Sequence, residues 1–165
     1  MCLMANRLNY GKVLPEGMKH VYALEKYAHD CGLEPLLLEL VKIRASQING
    51  CAYCVDMHTK DARTHGETEQ RLYGLNTWHE APWYTERERA ALSLTEAVTL
   101  VSEYPVDDDL YDETREHFSE QELVKLMLAI ATINVWNRLA ITFRDEPGTY
   151  QPTHFATESM SVKKS

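Results

Sequence analysis

The sequence predicts an all-α domain, and three observations carry that prediction. Strand-like alternation is nearly absent along the 165 residues, whereas apolar positions recur three and four apart. Two capping boxes, Thr85-Glu86-Arg87-Glu88 and Ser119-Glu120-Gln121-Glu122, mark helix starts. Asn49-Gly50 supplies a helix stop and Glu34-Pro35 a helix start. A chain of this length suits one domain with a core of its own.

The elements follow in order. Residues 1–17, with Pro15 and Gly17, read as an irregular arm. A first helix is expected over 18–30, stopping near Gly32. The second, over 35–49, carries Leu36, Leu40, Ile43 and Ile48 on one side. The third opens at Cys51 and runs to His65-Gly66, and a short helix over 68–73 leads to a loop with Pro82. The Thr85 box opens a helix that buries Ala90, Leu94, Ala97, Val98 and Val101 and ends before Pro105. A shorter helix spans 108–117. The Ser119 box opens the longest one, to 143. This helix is apolar nearly all round, through Leu123, Leu126, Met127, Ile130, Ile133, Val135, Leu139 and Ile141. Such a helix is expected to be central or buried against another subunit. The helical domain thus covers 18–144, and 145–165 form a polar tail.

Charge excludes some functions. At −8, with a pI near 5.3, the chain lacks the positive field that nucleic acid or an anionic membrane surface demands. No window of roughly 18 apolar residues stands out as a membrane helix. The first residues, Met1 to Arg7, show no basic region followed by an apolar stretch. A cytoplasmic protein is expected, in a compartment where a close cysteine pair is more often catalytic or metal-binding than a structural link.

The segment that carries chemistry is Asn49-Gly50-Cys51-Ala52-Tyr53-Cys54-Val55-Asp56-Met57-His58. Cys51, Cys54 and His58 follow at spacings of three and four, one stripe of a helix. The cysteines fall at the helix N-terminus, where free N–H groups and the dipole favour a thiolate. His58 can accept the Cys54 proton, and the spacing lets the sulfurs close into a disulfide with little backbone movement. Glu39 lies among apolar stripe neighbours Leu36 and Ile43, so its carboxylate needs a partner. A hairpin at Asn49-Gly50 would bring it towards His58 and Cys54, as a buried carboxylate with a raised pKa.

Glu39, Cys51, Cys54 and His58 in a helical chain resemble the active-site signature of the AhpD-like alkylhydroperoxidases of the carboxymuconolactone decarboxylase superfamily. The resemblance covers roughly residues 18–143. It is most specific over 39–66, and Ile133-Asn134-Val135-Trp136-Asn137-Arg138-Leu139 resembles one branch of the family. It implies a single-domain AhpD-like helical bundle without a cofactor. Cys54 is then the peroxidatic thiol and Cys51 the resolving thiol, with His58, helped by Glu39, moving the proton. The implied partners are a hydroperoxide and an external dithiol, in the best-known members on a lipoyl-bearing protein. The assembly implied is a homotrimer or hexamer. One departure is Tyr53, which stands where the mycobacterial type of AhpD has a histidine, and it implies a differently tuned relay. The decarboxylase branch lacks the cysteine pair.

Two other readings remain beside it. One is thiol-disulfide exchange on another substrate. The other is a zinc-stabilised interaction module, with Cys51, Cys54, His58 and Glu39 as four ligands; against it stand the lack of a second Cys/His cluster and the near-linear placing on a helix. Tyr53 reads as packing or pocket lining, Asp56 and His65 as surface and helix-end residues. Asn134, Asn137 and Arg138 need partners within an apolar helix. Cys2 and Cys31 read as free thiols, and His20, His29, His79, His117 and His154 show no ligand spacing.

Overall fold

The computed structural model describes residues 5–152, and among them the chain forms eight α-helices and one 3-10 turn with no β-strand. These are α1 (Tyr10–Val13), α2 (Pro15–His29), α3 (Pro35–Asn49), α4 (Ala52–Thr64), α5 (Glu69–Tyr73), α6 (Glu86–Thr99), α7 (Asp108–His117) and α8 (Glu120–Phe143), with the 3-10 turn at Leu75–Thr77 between α5 and α6. The all-α expectation holds. The arm, however, contains α1, and α2 begins at Pro15, where proline's fixed φ suits a first turn. Both capping boxes form, at Thr85 with Glu88 and at Ser119 with Glu122.

The central helix is α3, which packs on α4, α6 and α8. Nine of its fifteen residues are buried, on every side, and they include Glu39 and Lys42. One layer of core joins α3 to α2, α6 and α8 through Ala28, Leu37, Val41, Leu94, Leu126 and Ile130. A second joins α3 to α4, α5, the 3-10 turn and α6 through Leu40, Ile43, Ala62, Leu72, Leu75, Trp78 and Leu92. Each large side chain so buried stabilises the fold by about 1.5–3 kcal/mol relative to exposure.

The longest helix is more one-sided than its sequence implies. Leu126, Ala129, Ile130, Ile133, Asn137 and Ala140 are buried, whereas Val124, Met127, Val135 and Ile141 are exposed. By length and composition α8 is also apolar enough to cross a membrane. The sequence reading missed this because Thr132, Asn134 and Asn137 interrupt the apolar run without adding charge. Val101, expected to be buried, is exposed, since α6 stops at Thr99.

Candidate active site

The turn between α3 and α4 sets the site. Gly50 caps α3 at φ 72°, a left-handed conformation that glycine adopts without strain, and its N–H reaches back to Ser46 and Gln47 carbonyls. Cys51 follows as the N-cap of α4, its N–H donating to the Ser46 carbonyl at 2.9 Å. The turn is pinned from across the core. Asn49 Nδ2 lies 3.0 Å from Asn134 Oδ1 and 2.9 Å from Asn137 Oδ1, and Asn137 Nδ2 donates to Ser46 Oγ at 3.0 Å. The polar residues of α8 therefore do structural work, as their sequence context required. Arg138 bonds Asn134 within its own helix.

Cys51 and Cys54 are joined as a disulfide at the N-terminus of α4. It packs with Ala45, Ile133 and Ala140, beside Tyr53 and Trp136. One turn further along α4, His58 Nδ1 lies 2.9 Å from Glu39 Oε2, both side chains buried. The structure thus brings all four sequence-predicted residues, Glu39, Cys51, Cys54 and His58, to one place. An ionised carboxylate only accepts, so Nδ1 carries the proton and leaves Nε2 as the basic nitrogen.

One expectation is corrected. Burial pushes the Glu39 carboxyl up, but the His58 hydrogen bond and the charges of His58 and Lys42 outweigh it, and the group sits below its ordinary range. The cause that the sequence reading missed is Lys42. This residue is 3% exposed, and its ammonium lies 3.0 Å from Glu25 Oε1 and 3.6 Å from Glu39 Oε1. Glu25 also accepts from Trp136 Nε1 at 3.0 Å. Lys42 is three residues from Glu39, on the same helix side, and that spacing was the available signal.

A cavity of about 700 Å³ opens onto these groups. Cys54, Glu39, His58 and Lys42 line it, and Cys51 does not. Its far walls come from α1, α2, α8 and the segment after α8, which was read as a plain tail. Tyr150 Oη donates to Asp61 Oδ1 at 2.8 Å, and the Gly148 N–H donates to Asp56 Oδ2 at 2.9 Å. Asp56 therefore anchors this segment, which its reading as a surface residue had not foreseen. Burial, then Glu39, pushes the Asp61 carboxyl up against the pull of Tyr150. Tyr53 lines the cavity as expected. Its phenol is pushed up by burial first and then by Asp145.

The four-ligand zinc set is not assembled here, because both sulfurs are in the disulfide. The metal-capable cluster among the described residues is Glu39, His58 and Asp61, with ligand atoms within 4.8 Å, next to the Lys42 cation. Cys31 is free and buried, while Cys2 and His154 lie outside the described residues. His65 is exposed at the end of α4, and His29 and His79 pair with Asp30 and Glu96.

The carboxymuconolactone decarboxylase family matches residues 15–97, and the chain belongs to that family, as an AhpD-like member. It is 49% identical to the uncharacterised Bacillus subtilis protein YdfG over 138 residues, 84% of this chain and 94% of that one. A solved Agrobacterium tumefaciens protein of unknown function, thought to be an antioxidant defence protein AhpD, superposes with a TM-score of 0.85 at 46% identity, covering 88% of this chain and all of that one. The debrominase Bmp8, solved with 2,3,4-tribromopyrrole, shares the fold at a TM-score of 0.71 and 19% identity, over 82% of this chain and 72% of its own.

Proposed function

We propose that the protein is a thiol-dependent hydroperoxide reductase that cycles through the Cys51–Cys54 disulfide. The observation that carries this reading is the placing of the two sulfurs. Cys54 faces a cavity shared with a Glu39-backed histidine, while Cys51 stands behind it within bonding reach. The family and the AhpD-like relative support the same reading.

In the reduced enzyme, His58 Nε2 takes the Cys54 proton. The thiolate attacks the terminal oxygen of the hydroperoxide, the O–O bond breaks, and the proton on His58 passes to the leaving alkoxide. Cys54 becomes a sulfenic acid and the substrate an alcohol. Cys51 then attacks the Cys54 sulfur, forming the disulfide and releasing water. An external dithiol reduces the disulfide, giving up two electrons and two protons and becoming a disulfide itself. Cys51 and Cys54 are only 2% and 1% exposed, so the donor must enter through the cavity. A slender dithiol such as a lipoyl arm meets that requirement. The exposed apolar side of α8 supports assembly as a homo-oligomer, and dependence on reduced thiols fits a cytoplasmic setting.

The test is single-turnover mixing of reduced protein with an organic hydroperoxide. The expected result is rapid loss of two thiols per chain, abolished in Cys54→Ser and stopped at the sulfenic acid in Cys51→Ser. Oxidation no faster than that of a free thiol would overturn the reading in favour of disulfide exchange.

A further inference from the structure

We propose, resting on the reading of Cys54 as the peroxide-reducing thiol, that the cavity selects an uncharged substrate with an aromatic or similarly broad apolar body and excludes anionic ones. Three observations carry this.

The first is shape. A cavity of about 700 Å³ is of the size that holds a drug-sized ligand, and hydrogen peroxide alone would leave it almost empty.

The second is the wall. Tyr10, Tyr22, Tyr53, Trp136 and Tyr150 line the cavity with Met57. The Tyr22 and Trp136 rings stand 5.2 Å apart, tilted by 45°. Such walls offer ring faces and a thioether to an apolar guest.

The third is charge. The lining carboxylates already have partners: Glu39 has His58, Glu25 has Lys42 and Trp136, Asp61 has Tyr150, and Asp145 has Tyr10. Burial, then the bonded carboxylate, pushes the Tyr10 and Tyr150 phenols well above the usual tyrosine range, so both remain donors to these acids. Among the described residues that line the cavity, Lys42 is the sole lysine or arginine, and it is held between two carboxylates. Among the lining histidines, His58 faces Glu39, His29 faces Asp30, and His65 is exposed at the end of α4. An incoming carboxylate or phosphate would lose its hydration, meet several like charges, and find no uncommitted lysine or arginine among the described lining residues.

The experiment compares four oxidants on reduced protein in single turnover: cumene hydroperoxide, hydrogen peroxide, and a fatty-acid hydroperoxide as free acid and as methyl ester. Calorimetry then measures binding of the corresponding alcohols to the oxidised protein, which needs no chemistry at Cys54. The ester is expected to exceed the free acid by at least about tenfold in rate and affinity, the effect of a single close like-charge contact. Cumene hydroperoxide should exceed hydrogen peroxide, and Asp61→Asn should narrow the gap between ester and acid. A free acid that reacts and binds as well as its ester would overturn the proposal. If no oxidant reacts quickly but the alcohols keep the ester preference, the peroxidase reading fails and the substrate class stands.

Discussion

The ammonium of Lys42 lies 3.6 Å from Glu39 Oε1, and both side chains are buried, at 4% and 7% exposed. A buried cation thus stands behind the carboxylate that holds His58. Replacing Lys42 by Met leaves Glu25 and Glu39 facing each other without it. Breaking a buried pair in this way costs about 3–5 kcal/mol. Glu39 should then take up a proton, moving the acid limb of the Cys54 oxidation profile to higher pH. Lys42→Arg should keep the profile close to wild type. Denaturant titration and pH-dependent single-turnover rates check both, and an unmoved profile in a folded Lys42→Met protein would remove Lys42 from the relay.

Glu39 itself makes stability depend on pH. Its carboxyl lies below its ordinary range in the folded protein, so its contribution is present above the unfolded-state value, roughly pH 4.3. That contribution is lost as pH falls through the lower folded value. Glu39→Gln should lack this acid-side loss, and its Cys54 oxidation should slow by about tenfold or more, since His58 loses its anionic partner. Unfolding curves at a series of acidic pH values, read beside the kinetics, separate the two effects.

The cap of α8 gives a control far from the cavity. The Ser119 N–H and hydroxyl, together with Arg87, hold the Glu122 carboxyl down at about 2. Ser119→Ala should cost about 1 kcal/mol, as loss of an N-cap commonly does. The part owed to Glu122 is present above roughly pH 4.3 and declines as pH falls towards its folded value. Thermal unfolding of the variant at neutral and strongly acidic pH should show the difference shrinking, with no change in the rate of Cys54 oxidation at neutral pH.

Asn137 is fully buried and joins α8 to both Asn49 and Ser46. Asn137→Leu should destabilise the protein by about 1–3 kcal/mol, because the Asn49 and Ser46 groups are left with fewer partners. Hydrogen exchange should locate the loosening at the α3–α4 turn. Loosening confined to the far end of α8 would contradict this.

On α8, Val124, Met127, Val135 and Ile141 project from one side of the helix and are 37–60% exposed. If this side joins copies of the chain, Val135→Glu should raise the monomer fraction in sedimentation while the helical content by circular dichroism stays the same. An unchanged sedimentation profile would place the assembly surface elsewhere.

The reactive centre was legible because its members obey helical spacing. Cys51, Cys54 and His58 share a stripe, and Glu39 stands out as an acid among leucines and isoleucines. The identity of the central helix was not. Glu39, Lys42 and Ser46 make α3 look less apolar than α8, yet buried pairing lets α3 keep those groups in the core. Lys42 carried the spacing signal, but a lysine is by default solvated, and only the opposing Glu25 of another helix shows otherwise. Tyr150 and Asp61 are 89 positions apart, and no local pattern announces a meeting at that separation. The aromatic walls likewise come from distant segments.

The cavity draws on α1 and on the segment after α8. Arg7 N–H donates to the Phe143 carbonyl, Tyr10 to Asp145, and Tyr150 to Asp61. The helix α1 has no buried residue, and segments with so few buried contacts open at lower free energy than packed central helices. The pocket is therefore the first part of the molecule that warming should dismantle, while α3, α4 and α8 keep their packing. Under the proposed function, rapid oxidation of Cys54 should fade below the melting temperature and return on cooling, so that its heat tolerance is governed by the fastening of two peripheral segments rather than by the strength of the core.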